Sequence, residues 1–110
     1  MDKMKALDAM AALAQETRLD VFRLLVQVGS PGLPAGEIGE RLRVRQNTMS
    51  ANLSVLAQAG LIRSSREGRS IRYFADMDGV KGLLGFLMEN CCGGAPEVCQ
   101  PVIAQLTCTC

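Results

Sequence analysis

Between Pro34 and Ala75 the apolar pattern changes its period, and that change restricts the fold more than anything else in the chain. Ala35, Ile38 and Leu42 recur about one turn apart, which predicts a short helix over Ala35–Leu42 with these side chains on a core. Arg43-Val44-Arg45 reads as a tight turn that buries Val44. Met49, Leu53 and Leu56 mark a second helix over Gln46–Ala59, and Gly60 stops it. From Leu61 onward the pattern suits two strands folded back at Glu67-Gly68, since glycine supplies the positive φ that a tight hairpin needs. A short helix, a turn, a longer helix and a hairpin leave little choice of topology.

The formal charge of the whole chain is only +1, but it is unevenly spread. Residues 41 to 72 hold seven arginines (Arg41, Arg43, Arg45, Arg63, Arg66, Arg69 and Arg72) against Glu67 alone, a local +6, and the remaining residues carry −5. A basic patch confined to the helix pair and hairpin is the footprint of phosphate contact. Opposite its apolar stripe the second helix carries Gln46, Asn47, Thr48, Ser50, Ala51 and Ser54. Short side chains let a helix sit deep in a major groove, and their amide and hydroxyl groups reach base edges. An ordinary solvated helix would carry Lys and Glu there, which this face lacks. Arg45 at the start of that helix, with Arg63, Arg66, Arg69 and Arg72 on the hairpin, suits phosphate or minor-groove contact. The expected architecture is mainly α with a small β-hairpin, a winged helix-turn-helix bound to double-stranded DNA.

The flanks have to complete that reader. At 110 residues the chain makes one small domain with one core. Hydrophobic residues are 48% of it and aromatics 4%, so the core is expected to be aliphatic and filled by methionine. Met4, Leu7, Met10, Ala11 and Ala14 recur at three- and four-residue spacing and predict a first amphipathic helix. Thr17, with Asp20 three residues on, is the candidate N-cap of a second helix. That helix runs to about Val28 with Val21, Leu24, Leu25 and Val28 inward, and Gly29 ends it. Pro31-Gly32-Leu33-Pro34 reads as a connecting loop.

Asp78 is the candidate cap of a last helix reaching about Asn90, with Leu83, Leu84, Leu87 and Met88 on one stripe. Gly79, Gly82 and Gly85 weaken it in isolation, so it has to pack closely on another helix. Amphipathic helices at both ends predict a homodimer built from the N- and C-terminal helices, and a two-fold dimer matches a palindromic operator. Residues 1–92 are then the DNA-binding and dimerisation domain, and 93–110 a cysteine-containing tail. Nothing resembles a signal peptide or a membrane span, which points to a cytoplasmic chain with no membrane partner.

The run from Gln46 to Leu56, followed by Ala59-Gly60-Leu61-Ile62 and Arg66-Glu67-Gly68-Arg69, resembles the ArsR/SmtB family of metal-sensing repressors. Thr17-Arg18-Leu19 is similar to the segment that opens the family's second helix, and the resemblance spans roughly residues 10 to 90. It implies a dimeric winged-helix repressor that leaves its operator when a metal ion binds. Two departures matter. The helix before the recognition helix, Gly36-Glu37-Ile38-Gly39-Glu40-Arg41-Leu42, lacks the Cys-x-Cys pair of many members, and the chain has no histidine for a zinc site on its last helix.

The cysteines lie elsewhere. Cys91 and Cys92 close the last predicted helix, Gly93-Gly94-Ala95-Pro96 turns the chain, and Cys99 follows. Five cysteines in a chain of this kind point to metal or thiol chemistry rather than structural disulfides. An all-sulfur donor set selects a soft ion, and three thiolates suit trivalent arsenic or antimony, one per subunit. The Cys-Cys-Gly-Gly…Cys pattern also resembles the C-terminal arsenite site of some arsenic-responsive ArsR members. Zinc stays open, because Cys108 and Cys110 could serve as accessory ligands in a four-thiolate site, and cadmium or lead would follow the same chemistry. A thiol redox switch is a further reading. A small thiol enzyme is the alternative of another class, but Cys91 and Cys92 at a helix C-terminus lie where the dipole disfavours a thiolate, and no histidine can act as base. The expectation is a repressor and not an enzyme.

Overall fold

The computed structural model describes residues 1–89 together with Glu97, Pro101 and Gln105. Its elements run α1 (Lys3–Leu13), α2 (Glu16–Val28), β1 (Leu33–Pro34), α3 (Ala35–Leu42), α4 (Gln46–Gln58), β2 (Ile62–Glu67), β3 (Ser70–Ala75) and α5 (Met77–Leu87). The three strands form one antiparallel sheet in the order β1-β3-β2. The segment expected as loop therefore contains a strand, with Leu33 opposite Tyr73 and Pro34 opposite Arg72. Two residues are too few to show a period, and Pro34 is tolerated because β1 is an edge.

Val21, Leu25, Ile38, Met49, Leu53, Leu56 and Leu61 are fully buried and join α2, α3, α4 and the start of the sheet into one core. It is aliphatic as expected, but methionine does not fill it: Met49 is buried, whereas Met1, Met4, Met10, Met77 and Met88 are exposed. The first helix is the clearest correction. α1 buries Ala6, Ala9 and Ala12, while Met4, at 68% exposure, Leu7 and Met10 face outward. Both sets repeat every three residues, and the alanine face wins because small side chains let α1 come close to the helices beneath it.

Two caps also differ. Gln15, not Thr17, caps α2, its Oε1 accepting from the Arg18 N–H at 2.8 Å. Asp76, not Asp78, caps α5, its Oδ1 accepting from the N–H groups of Asp78 and Gly79 at 3.1 and 3.3 Å. Asp78 instead sits in the first turn, at the positive end of the helix dipole. On α5 Leu83 is buried, while Leu84, Leu87 and Met88 are exposed. Gly79 meets the expectation of close packing. A Cβ there would overlap the Gly60 carbonyl, so the start of α5 rests directly on the backbone that ends α4. Asn90 and the residues of the predicted cysteine site lie outside the described residues.

Candidate nucleic-acid interface

The turn between α3 and α4 is shaped by Gly39 and Arg43. Arg43 adopts the left-handed conformation, φ 57°, and the Val44 N–H returns to the Gly39 carbonyl at 2.9 Å. A Cβ on Gly39 would press on the Gln46 side-chain nitrogen and the Val44 carbonyl, so glycine is what lets the two helices close. Val44 is half-buried, as a turn anchored by one apolar side chain requires.

On α4 Met49, Leu53 and Leu56 face the core, and Gln46, Asn47, Thr48, Ser50, Ala51 and Ser54 are all exposed. They are not equivalent. The Gln46 side-chain nitrogen leans back toward the Ala35 carbonyl at 3.4 Å, and the Asn47 Oδ1 accepts from the Thr48 N–H at 2.8 Å. Those two amides are partly committed to the helix start. Among the described residues, no side-chain hydrogen bond holds Ser50 or Ser54, so the middle of the face is free to meet another molecule. Arg45 occupies the N-cap without a side-chain cap bond, so the positive end of α4 faces outward beside a guanidinium.

The wing separates the arginines that the sequence grouped together. Gly68, φ 62°, and Arg69 form a two-residue loop between Glu67 and Ser70, so Arg69 stands at the tip rather than on the returning strand. Side chains alternate faces along β2, which puts Arg63 and Arg66 on opposite sides. Arg63 lies over the ring of Phe74, its cross-strand partner, at 5.7 Å from the centroid. Arg72 is tied down more firmly. It donates from one terminal nitrogen to the Pro31 and Gly32 carbonyls, both at 3.0 Å, and its Nε lies 3.5 Å from the Glu67 carboxylate. Arg72 is therefore a tie between wing and connecting segment, and Arg66 and Arg69 are the wing cations that face outward.

Among the described residues, no group of three or more Cys, Asp or Glu side chains gathers as a metal site, and no helix is long and apolar enough to cross a membrane. Two residues the pattern could have shown were missed. Asn52 occupies a position of the apolar stripe one turn from Met49 and Leu56, and it is the buried polar residue among those described. Arg18 reaches it from α2.

A family model for the helix-turn-helix domain matches residues 13–65. An uncharacterised helix-turn-helix-type transcriptional regulator of Methanocaldococcus jannaschii is 31% identical over 85 residues, 77% of this chain and 93% of that protein. The chain belongs to the helix-turn-helix transcriptional regulators. This regulator is also similar in structure to HlyU of Vibrio cholerae, with TM-score 0.64 and 29% identity over 84% of this chain and 99% of that one. HlyU is described as a transcriptional activator and has been solved in its reduced form as well. The homodimeric winged helix-turn-helix DNA-binding domain of a possible ArsR-family regulator from Mycobacterium bovis matches with TM-score 0.63 and 27% identity, over 78% of this chain and 80% of that one. The architecture of this regulator is thus the ArsR-like winged helix, and its helix-turn-helix is a DNA-binding domain.

The wing gives a measurable expectation. On a DNA fragment enriched by the wild-type protein, Arg66→Ala and Arg69→Ala should each weaken binding on all sequences alike and lower the salt slope by roughly 1. Arg72→Ala should instead lower the melting temperature, since it unties two carbonyls. A salt slope unchanged in both the Arg66 and Arg69 variants would take the wing off the phosphates.

Proposed function

We propose that this regulator is a homodimeric repressor that binds a palindromic operator and is released when trivalent arsenic or antimony binds Cys91, Cys92 and Cys99. The DNA-binding half rests on the α4 face of short side chains, with Thr48, Ser50, Ala51 and Ser54 reading bases and Arg45, Arg66 and Arg69 on phosphates. Gln46 and Asn47 hold the helix start and add base contacts at its edge. A second copy of the chain would cover the exposed apolar stripe of Met4, Leu7 and Met10 on α1 and Leu84, Leu87 and Met88 on α5. The homodimeric state of the Mycobacterium bovis domain supports that reading.

The sensing half rests on the donor set. Cys91 follows closely on α5 in sequence, and Cys92 and Cys99 give three sulfurs within nine residues. A soft trivalent ion displaces the thiol protons and is held by thiolates, with no oxygen or imidazole donor required. Binding there acts on the end of a dimerisation helix and so on the spacing of the two recognition helices. A factor of roughly 5–150 between free and bound states is usual for such coupling. Cys108 and Cys110 would turn the site toward zinc, cadmium or lead if they join it. The protein carries out no catalysis in this scheme.

The test is operator release titrated with arsenite for the wild type and for each Cys→Ser variant. Release should fall about tenfold or more in sensitivity for Cys91→Ser, Cys92→Ser and Cys99→Ser, and little for the Cys108 and Cys110 variants. Undiminished release by Cys92→Ser sinks the three-thiolate site. The reduced form known for HlyU favours one second reading, a thiol switch. Release by a disulfide-forming oxidant but not by arsenite would establish it.

A further inference from the structure

α1 sets its buried alanines into the core that Met49, Leu53 and Leu56 of α4 share, but along their outer sides the two helices stand apart. A cleft of about 360 Å³ opens between Asp8, Ala11 and Ala12 of α1 and Val55, Gln58 and Ala59 of α4, and the Arg18 side chain forms part of its wall. Arg18 bridges the two helices. Its Nε donates to the Ala12 carbonyl at 2.7 Å, near the end of α1, and a terminal nitrogen donates to the Asn52 Oδ1 on α4 at 3.4 Å.

The two bonds are of unequal kind. The first is short, and it takes up a carbonyl that the helix leaves without a partner at its C-terminal end. The second is long for a hydrogen bond, yet Asn52 is 7% exposed and, among the described residues, the guanidinium is its side-chain partner. A planar guanidinium holds both acceptors in one geometry, which an ammonium on a flexible stem would not. Asn52 faces inward on the same helix whose outward face carries Ser50, Ala51 and Ser54, so a shift of its position turns the reading face. At its other end α1 lies beside α5, where a Cβ on Gly82 would meet the side chain of Met1, just before α1, at 3.5 Å.

We infer that Arg18 is a positioning residue that couples α1, and through it α5, to the recognition helix α4 by way of Asn52. The geometry rests on residues with no role in DNA or metal contact. Among the described residues the guanidinium is the side-chain polar link between these helices across the open cleft, so its loss uncouples them while the apolar core that includes Ala6, Ala9 and Ala12 of α1 and Met49, Leu53 and Leu56 of α4 keeps the fold. Such coupling is established by a bistable element and by cycles of substitutions, not by proximity.

Arg18→Lys keeps the charge but cannot hold both acceptors, and Asn52→Ala removes one acceptor while leaving the bond to Ala12. Thermal melts identify which of these variants is folded. The deciding measurement is amide hydrogen exchange on the full chain, free and bound to operator, with no inducer present. In the wild type, operator binding should slow exchange in the last turn of α1 by about threefold or more. In Arg18→Lys and in Asn52→Ala that protection should vanish while α4 stays protected. Protection of α1 that persists in a folded variant, or its absence from the wild type, overturns the coupling.

A second arm rests on the proposed function: the fold-change in operator affinity caused by arsenite should shrink in both variants to within about twofold. Where arsenite does weaken wild-type binding, an equal fold-change in the variants also overturns the coupling. A wild type that ignores arsenite counts against the inducer alone, and the exchange result then decides the role of Arg18.

Discussion

Replacing Ser50 with glutamate is expected to weaken operator binding by roughly 100-fold, while the melting temperature moves by no more than about 2 °C. Ser50 is exposed at the centre of the α4 face and free of side-chain bonds among the described residues, so the fold does not depend on it. A carboxylate there would be carried against the polyanion at the closest point of approach. Like-charge juxtaposition in an interface costs several kcal/mol, and about 3 kcal/mol corresponds to two powers of ten. Ser50→Ala removes at most one hydrogen bond and should cost about tenfold or less. Fluorescence anisotropy on the enriched fragment separates these outcomes. Equal affinities for Ser50→Glu and wild type would mean that α4 does not enter the groove by this face.

The largest effect on stability is expected at Gly79. Gly79→Ala puts a methyl group into the Gly60 carbonyl, and neither partner is a flexible side-chain end that could move aside. Overpacking against backbone is expected to cost about 3 kcal/mol, or a drop of about 10 °C in melting temperature for a domain of this size. The opposite sign is expected at Gly36, inside α3, where a new Cβ meets nothing within 4 Å. There Gly36→Ala should stabilise by about 0.5–1 kcal/mol, the usual difference in helix propensity. If the two substitutions shift the melting curve alike, α5 does not rest on Gly60.

Much of the reader was legible because its signals agree with one another. Ala35, Ile38 and Leu42 have one periodicity, and the α3 bounds they predict are those observed. Met49, Leu53 and Leu56 likewise face the core as their spacing requires. The failures have physical causes. In α1 two three-residue repeats compete, and hydrophobicity favours Met4, Leu7 and Met10 where close packing selects Ala6, Ala9 and Ala12. At the α2 and α5 starts several residues could cap, and Gln15 and Asp76 prevail because their side chains reach the right N–H groups. Arg72 was indistinguishable by type from Arg66 and Arg69. What distinguishes it is the Pro31 and Gly32 carbonyls, about forty residues earlier in the chain, which only the folded sheet brings beside it, together with Glu67 on β2. The cysteine site was read from donor chemistry and order along the chain, and it remains a proposal for the titration to decide.

The tie made by Arg72 has a consequence for how the regulator meets DNA. A flexible hairpin would surrender conformational freedom on docking, and that loss would be subtracted from whatever its cations gain. Here the root of the wing is already ordered in the free protein, held by two carbonyls of the segment before α3 and by Glu67. Only the long side chains of Arg66 and Arg69 remain to be immobilised. With the phosphate contacts proposed for Arg66 and Arg69, the wing would behave as a preset ruler, fixing how far from α4 a phosphate must lie to be touched, and so would favour duplexes whose groove width suits that span.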